Sequence, residues 1–228
     1  FEVNGMEKFK LFRYSLLAGL MIAIGGAVNL SVDNKVVGAF LFSIGLFTVV
    51  NQQFALFTGR VGDFKLKQPA FLIDLLIIWI GNFAATVGVG YLLRVTRVSS
   101  ALSAKAETLS QAKLNDNPLS IFVLAIFCGI IMYVAVACFR STENPIGKYA
   151  GVFIGVPVFI LCGFEHCVAN MFYFSIANAW TWKTFLWLLI MTAGNAVGGL
   201  LIPVIKCNIS YKKEKRISVQ DEKDNHSK

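Results

Sequence analysis

Residues 149–182 read YAGVFIGVPVFILCGFEHCVANMFYFSIANAWTW, a run of 34 residues from which the class of the protein can be deduced. Its only interruption is the pair Glu165 and His166. A bilayer core about 30 Å thick accommodates about 20 apolar residues in a helix. The run is therefore too long for one ordinary membrane helix and too short for two helices joined by a loop. We predict a single span that is broken near its middle, around residues 165–170.

Five other uncharged runs each have the length of one membrane helix. They are residues 14–32, 36–59, 75–93, 117–139 and 184–205. The composition agrees, because 56% of the residues are hydrophobic and 15% are charged, whereas soluble domains have about 25% charged residues. The sequence therefore predicts an all-α membrane protein with six transmembrane helices, in a single transmembrane domain that spans residues 1–228.

The positive charges indicate how the helices are oriented. Of the 21 Lys and Arg residues, 15 lie in the N-terminal arm, the loops near 60–70 and 140–148, and the tail. Lys and Arg concentrate on the cytoplasmic side of membrane proteins. Both termini are therefore predicted to be cytoplasmic, with a basic tail at 208–228. The net charge of +8 reflects this bias, which favours lipid headgroups over nucleic acid as the partner of the tail.

The two halves of the chain, about 1–97 and 117–207, have related features. Each half holds three predicted spans, so the two halves must have opposite orientations. Gly81-Asn82 lies in the third span and Gly194-Asn195 in the sixth. This pairing indicates an inverted repeat.

Polar interruptions also occur at matching places. The second span contains amides followed by Leu56-Phe57-Thr58-Gly59, and the fifth contains Glu165-His166. Non-helical backbone at membrane depth is tolerated only where it lines a cavity, and paired interruptions in inverted repeats mark substrate sites. We therefore predict that the second helix breaks near 56–59, that the two breaks meet, and that the protein is a transporter.

These motifs resemble those of the formate/nitrite transporter family. The resemblance is carried by Leu56-Phe57-Thr58-Gly59, by Gly81-Asn82, by the run GFEHCVANM at 163–171, and by Gly194-Asn195 with Pro203. Within the family, the hydrosulfide channels of anaerobic bacteria are the subgroup that the sequence resembles most. The resemblance implies a homopentamer in the bacterial cytoplasmic membrane, with an aquaporin-like fold and a separate pore in every protomer. The implied function is a pH-sensitive passive channel for hydrosulfide, formate or nitrite.

The resemblance also assigns the substrate pathway. It implies that Leu56 and Phe159 are two apolar constrictions and that His166 is the protonatable group between them. It further implies that Thr58 lies on the broken part of the second helix and that Asn170 braces the histidine loop.

Two charged residues near this pathway have different expected roles. By the same resemblance, Lys113 and the basic loop around it would concentrate anions at the mouth of the pore. Glu165 is expected to be structural, with its carboxylate bound to backbone amides that the break sets free.

The sequence argues against several functions other than transport. Cys162, His166 and Cys167 lack the spacing of a structural zinc site, so no metal and no cofactor are predicted. No GxSxG motif or nucleotide-binding glycine pattern is present, so an enzyme is not expected. The alternatives left open are an intramembrane enzyme that uses the histidine, and a non-transporting scaffold in which both interrupted helices would be continuous.

Overall fold

The computed structural model describes residues 5–64 and 70–226, with side chains described within 7–64 and 70–207. Over the described ranges the chain forms nine α-helices and no strand. The basic side chains of the predicted tail, and residues 65–69 of the loop after the second span, lie outside the described part. The helices are α1 (Gly5–Ser31), α2 (Lys35–Asn51), α3 (Phe57–Arg60), α4 (Phe71–Arg94), α5 (Ser99–Leu114), α6 (Pro118–Ser141), α7 (Pro145–Leu161), α8 (Cys167–Ile176) and α9 (Trp182–His226).

Four of these helices are long and apolar enough to cross a membrane: α1, α4, α6 and the Trp182–Cys207 part of α9. The apolar helices α2, α7 and α8 are shorter, with 17, 17 and 10 residues. The pairs α2/α3 and α7/α8 occupy the places of the predicted second and fifth spans. The prediction of an all-α membrane fold with these two helices broken is confirmed, and the count of six spans stays a prediction.

Polar caps fix where several helices begin. Asn34 precedes α2, and its side chain accepts the N–H groups of Val36 and Val37. Asn144 precedes α7 and accepts the N–H of Ile146. Such caps satisfy N–H groups that have no partner inside the helix. Since α2 and α7 hold equivalent places in the two halves, the caps are a further sign of the repeat.

The two halves pack in the same pattern. Helix α1 lies against α2 and α4, and α6 lies against α7 and α9. Glycines allow the long helices to approach closely. A Cβ atom added to Gly19 would lie 2.7 Å from the Asn82 carbonyl oxygen, and one added to Gly129 would collide with the Asn195 carbonyl oxygen. The halves meet where α2 contacts α7 and where α4 contacts α8.

The segment between the halves is not the loop that was expected around Lys113. It forms α5, which packs against α8, and Lys113 lies in its last turn. The indole N–H of Trp187 donates to the Lys113 carbonyl at 3.0 Å and holds this end of the helix. Lys113 is therefore carried on a fixed helix end, next to the second interruption.

Both interruptions lie slightly earlier in the sequence than predicted. Helix α2 ends at Asn51 and α3 begins at Phe57, whereas α7 ends at Leu161 and α8 begins at Cys167. The residues of the breaks are therefore 52–56 and 162–166. Gly59 lies inside α3 and does not cause the first break.

Candidate functional site

The two interrupted helices end in the same way. The chain turns through one residue in the left-handed region, which is Gln53 (φ 55°) in the first break and Gly163 (φ 71°) in the second. In both breaks the following N–H bonds back to the carbonyl five residues earlier, at 2.9 Å. This closure satisfies carbonyl groups of the last helical turn. Both α2 and α7 therefore end in a closed turn before the extended part of the break.

A buried asparagine on α4 holds the first break. The Asn82 Oδ1 atom accepts the Phe57 N–H at 2.9 Å. Its Nδ2 atom donates to the carbonyls of Ala55 at 3.0 Å and Ser15 at 2.7 Å. A buried backbone group without a partner costs about 1–3 kcal/mol. Asn82 thus replaces hydrogen bonds that the interruption removes.

An equivalent asparagine on α9 holds the second break. The Asn195 Oδ1 atom accepts the Cys167 N–H at 2.9 Å. Its Nδ2 atom donates to the carbonyls of Glu165 at 2.7 Å and Ala125 at 2.8 Å. The two asparagines are fully buried and make the same three hydrogen bonds. The Gly-Asn pairs in the sequence are therefore the braces of the two breaks.

The breaks meet at a pair of buried side chains, as predicted. The Thr58 Oγ1 atom of α3 lies 2.9 Å from His166 Nε2, at the start of α8. His166 Nδ1 accepts the Ala169 N–H at 3.1 Å and so caps α8. The Phe159 ring stacks on the imidazole with a centroid distance of 5.4 Å.

These contacts define the protonation pattern of the resting imidazole. Because the Ala169 N–H is an obligatory donor, Nδ1 carries no proton. A neutral ring then has its proton on Nε2, which donates to Thr58 Oγ1. The Thr58 hydroxyl keeps its own proton for donation. A second proton can be added to His166 only at Nδ1, with loss of the cap.

Lys113 and Glu165 form a buried ion pair beside this centre. Lys113 Nζ lies 2.8 and 2.7 Å from the two carboxylate oxygens, and the side chains are 15% and 5% exposed. Asn170 Nδ2 donates to Glu165 Oε2 at 2.7 Å. The expectation that Glu165 binds freed backbone amides is wrong, because Asn195 already holds the backbone of the break. The carboxylate instead forms an ion pair with Lys113, the residue expected to concentrate anions at the mouth of the pore.

Two cavities lie beside the two breaks, and each is lined by residues of one break. The first, the Arg60 vestibule, has a volume of about 410 Å³ and is lined by residues that include Leu56, Arg60, Asp63, Arg140 and Lys148. The second, the Lys113 vestibule, has a volume of about 430 Å³ and is lined by residues that include Lys105, Lys113, Phe159, His166 and Asn170.

The lining of the two vestibules follows the repeat. Leu56 lines the first and His166 the second, and each immediately precedes the helix that restarts after a break. Arg60 and Asn170 each follow four residues later. The two cavities are therefore equivalent parts of the two halves.

The residues predicted for the pathway come together around the two breaks. Their roles as constrictions, as the protonatable group and as an anion-concentrating group stay predictions. Their places are Leu56 on the Arg60 vestibule, Thr58 at the contact with His166, and Phe159, His166, Lys113 and Asn170 on the Lys113 vestibule. Sequence reasoning noticed Asn82 and Asn195 only as signs of a repeat, and it missed Glu165 as the partner of Lys113.

The alternative of a metal site has no support in the geometry. Within the described part of the chain, no three His, Cys, Asp or Glu side chains are grouped so that they could hold a metal ion. Cys162 is exposed and Cys167 is buried.

Known proteins resemble the chain over most of its length. An uncharacterized transporter, YrhG of Bacillus subtilis (strain 168), is 28% identical over 242 residues, covering 93% of this chain and 91% of that protein. A probable formate transporter of Methanothermobacter thermautotrophicus is 27% identical over 246 residues, covering 90% of both chains. A solved structure described as a pentameric formate channel with formate bound has a TM-score of 0.78 and 23% identity, and the match covers 90% of this chain and 97% of that chain.

Two broken helices that meet at a buried polar centre, between two cavities, are features of a membrane transporter. The family model described as Formate/nitrite transporter matches residues 3–207, and the chain belongs to this family. Because this is a family of transporters, the protein is an integral membrane transporter and not an enzyme. The scaffold alternative, which required continuous helices, is excluded by the two breaks.

Proposed function

We propose that the protein is a passive, pH-sensitive channel for small monovalent anions of weak acids: formate, nitrite and hydrosulfide. The observation that carries the proposal is the contact between Thr58 and His166, where the two breaks meet between the two vestibules. A single polar contact between two cavities is suited to small ions that cross one at a time.

The proposed path runs from the Arg60 vestibule past Leu56 to the centre, and then past Phe159 into the Lys113 vestibule. Leu56 and Phe159 are 1% and 4% exposed, which supports their roles as apolar constrictions. Apolar constrictions reject ions that keep a large hydration shell. Small monovalent anions of weak acids lose less water than such ions do, and they then gain hydrogen bonds at the centre.

At the centre, the anion replaces Thr58 as the acceptor of the His166 Nε2–H and also receives the Thr58 hydroxyl proton in a hydrogen bond. A proton added to His166 must enter at Nδ1 and break the bond from the Ala169 N–H. An adjacent anion offsets this loss, because opposite charges attract strongly where water is excluded. Anion occupancy and protonation are thereby coupled, and flux increases as the pH falls.

The mouth of the Lys113 vestibule is proposed to attract anions. Glu165 compensates Lys113 in a buried pair, so the attraction rests mainly on Lys35 and on Lys105, whose pair with Asp33 is exposed and therefore weak. The positive-inside rule puts the Arg60 vestibule on the cytoplasmic side. We assign the protein to the bacterial cytoplasmic membrane, with both termini in the cytoplasm.

We also propose a homopentamer with a pore in every protomer. The solved relative is described as pentameric, and exposed apolar side chains on α2, such as Phe40, Leu41 and Ile44, offer faces for lipid or for a neighbouring subunit. Native mass spectrometry in mild detergent is expected to give a five-fold assembly. A monomer under conditions that preserve the fold would contradict this part of the proposal.

The function is tested by anion uptake into proteoliposomes. We expect flux of formate, nitrite and hydrosulfide above that of protein-free liposomes, and no flux of sulfate. Leu56→Ala is expected to admit larger monovalent carboxylates such as acetate. Leu41→Ala, the same change at an exposed position of α2, is the matched control and should leave selectivity unchanged. Absence of flux for all three anions would contradict the proposal.

A further inference from the structure

The Arg60 vestibule carries more positive than negative charge. Three cationic side chains line it, Arg60, Arg140 and Lys148, together with one carboxylate, Asp63. Arg140 is already engaged, since its Nη1 atom lies 2.8 and 3.1 Å from the two Asp63 oxygens and its Nη2 atom lies 3.4 Å from the Gly59 carbonyl. Among the described side chains of this vestibule, one carboxylate therefore faces three cations, and Arg140 binds it.

The other two cations have weaker partners. Arg60 Nε lies 3.5 Å from Asp63 Oδ2, which is too long for a good hydrogen bond. This Nε atom is buried and has no hydrogen-bond acceptor among the described residues. Lys148 Nζ lies 4.9 Å from the centre of the Phe139 ring. That contact leaves its ammonium charge without an anion among the side chains that the structure describes.

The repeat shows that a guanidinium at this position is particular to one vestibule. Arg60 stands four residues after Leu56, and Asn170 stands four residues after His166. Likewise, Asp63 corresponds to Tyr173. The equivalent position of the second break therefore holds a neutral amide.

We propose that the Arg60 vestibule holds a binding site for one small planar monovalent anion, a carboxylate such as formate. The Arg60 guanidinium would bind it through paired N–H groups, a geometry that matches a carboxylate. Lys148 adds a second positive charge. Asp63 acts as a tethered carboxylate that competes for the same cations. The site loads the pore next to Leu56, and it rests on the proposed function only in the choice of ligand.

The site is tested by direct binding, apart from transport. Carbon-13-labelled formate is titrated at low ionic strength into the purified full-length protein in lipid nanodiscs, and the formate line width is measured by NMR. Arg60→Asn, which installs the residue found at the equivalent position, is expected to raise the half-saturating formate concentration about three- to tenfold, because a charged hydrogen-bonding group is lost. Asp63→Asn is expected to lower it, because a competing carboxylate is removed.

Two further variants complete the test. Lys183→Gln is the matched charge control, since Lys183 lies near Trp187 and lines neither vestibule; it should bind formate as the wild type does. Arg60→Lys keeps the charge but removes the planar fork, so its affinity is expected to lie between those of the wild type and Arg60→Asn. It also serves as the test if Arg60→Asn does not fold.

Three results would overturn the site. They are equal binding by wild type and both Arg60 variants, an equal loss in Lys183→Gln, or a loss of affinity in Asp63→Asn. Flux in proteoliposomes is measured in parallel. Binding that depends on Arg60 without any flux would contradict the channel and leave the site intact, whereas flux with binding independent of Arg60 would contradict only the site.

Discussion

The two interrupted helices share a scaffold but differ at one decisive residue. Leu56 and His166 each lie just before an N–H group that a buried asparagine accepts. Leu56 provides no side-chain cap for α3, whereas His166 caps α8 and contacts Thr58 of the first break. The repeat therefore supplies the geometry of the meeting point twice, and the titratable group only once.

The residues just before Leu56 and His166 also differ in polarity, and again the second break has the polar one. Ala55 is apolar and needs no partner, whereas Glu165 binds Lys113 and Asn170. The second break thus carries a polar network that the first lacks. In this protein an asparagine braces each broken helix, and the chemistry of each break depends on the side chains that lie next to it.

The largest expected effect follows from the ion pair that only the second break has. Lys113→Met leaves the Glu165 carboxylate buried with Asn170 as its remaining partner, and we expect a loss of about 3 kcal/mol in the free energy of unfolding. Lys113→Met combined with Glu165→Gln should recover most of this, because neither charge is then buried alone. Thermal or denaturant unfolding in detergent measures both.

Lys105→Met is the control for that experiment, since its pair with Asp33 is exposed and exposed pairs contribute little. If Lys113→Met unfolds like Lys105→Met, the second break does not depend on the ion pair.

The second-largest expected effect tests whether the two breaks are braced to the same extent. Asn82→Ala and Asn195→Ala each remove three buried hydrogen bonds. We expect each to lower the free energy of unfolding by about 2 kcal/mol, and by similar amounts. A large difference between the two would show that the breaks are braced differently. Unfolding of both variants in the same detergent gives the comparison.

Sequence reasoning found the broken helices because the interruption is local: a polar pair inside an apolar run is visible without any structure. The braces were not found, because Asn82 bonds to Phe57 and Asn195 to Cys167 across 25 and 28 residues. No sequence feature near either asparagine indicates which backbone N–H donates a hydrogen bond to its side chain. The breaks were placed a few residues late for the same reason, since each helix restarts where its asparagine accepts the first N–H.

The electrostatic partners were missed for a related reason. Lys113 reaches Glu165 across 52 residues because α5 packs on α8, and the sequence of α5 reads as a polar connection between two membrane halves. His166 and Thr58 were found because each lies in a recognisable motif. Their hydrogen bond depends on how the halves meet, which the inverted repeat predicted.

The third effect concerns the titratable group that distinguishes the breaks. Asn is a good N-cap, so His166→Asn can keep the bond from the Ala169 N–H and a polar side chain at the centre, but it cannot take up a proton. We expect formate flux into proteoliposomes to increase as the pH falls in the wild type and to lose this dependence in the variant. The pore should stay open, because Leu56 and Phe159 are unchanged.

His166→Leu makes the second break resemble the first. It is expected to lose the cap and the Thr58 contact, and therefore to reduce flux at every pH. A His166→Asn protein with the wild-type pH profile would show that the histidine only forms hydrogen bonds and that the pH dependence arises elsewhere.

The smallest effect is expected at the mouth of the Lys113 vestibule, away from both breaks. The hydrogen bond and the charge of Lys105 hold the pKa of Asp33 below its ordinary value. A lowered pKa means that the carboxylate stays charged at neutral pH and that the pair is lost only when the pH falls through that lowered value.

Asp33→Asn removes the negative charge beside Lys105, so anion flux at low salt should increase about twofold or less, and high salt should abolish the increase. The pH profile set by His166 should not change, since Asp33 does not titrate between mildly acidic and mildly alkaline pH. Flux of the variant and the wild type at two salt concentrations, across that pH range, provides the measurement. A shifted pH profile in Asp33→Asn would show that the mouth, and not the difference between Leu56 and His166, controls the response to pH.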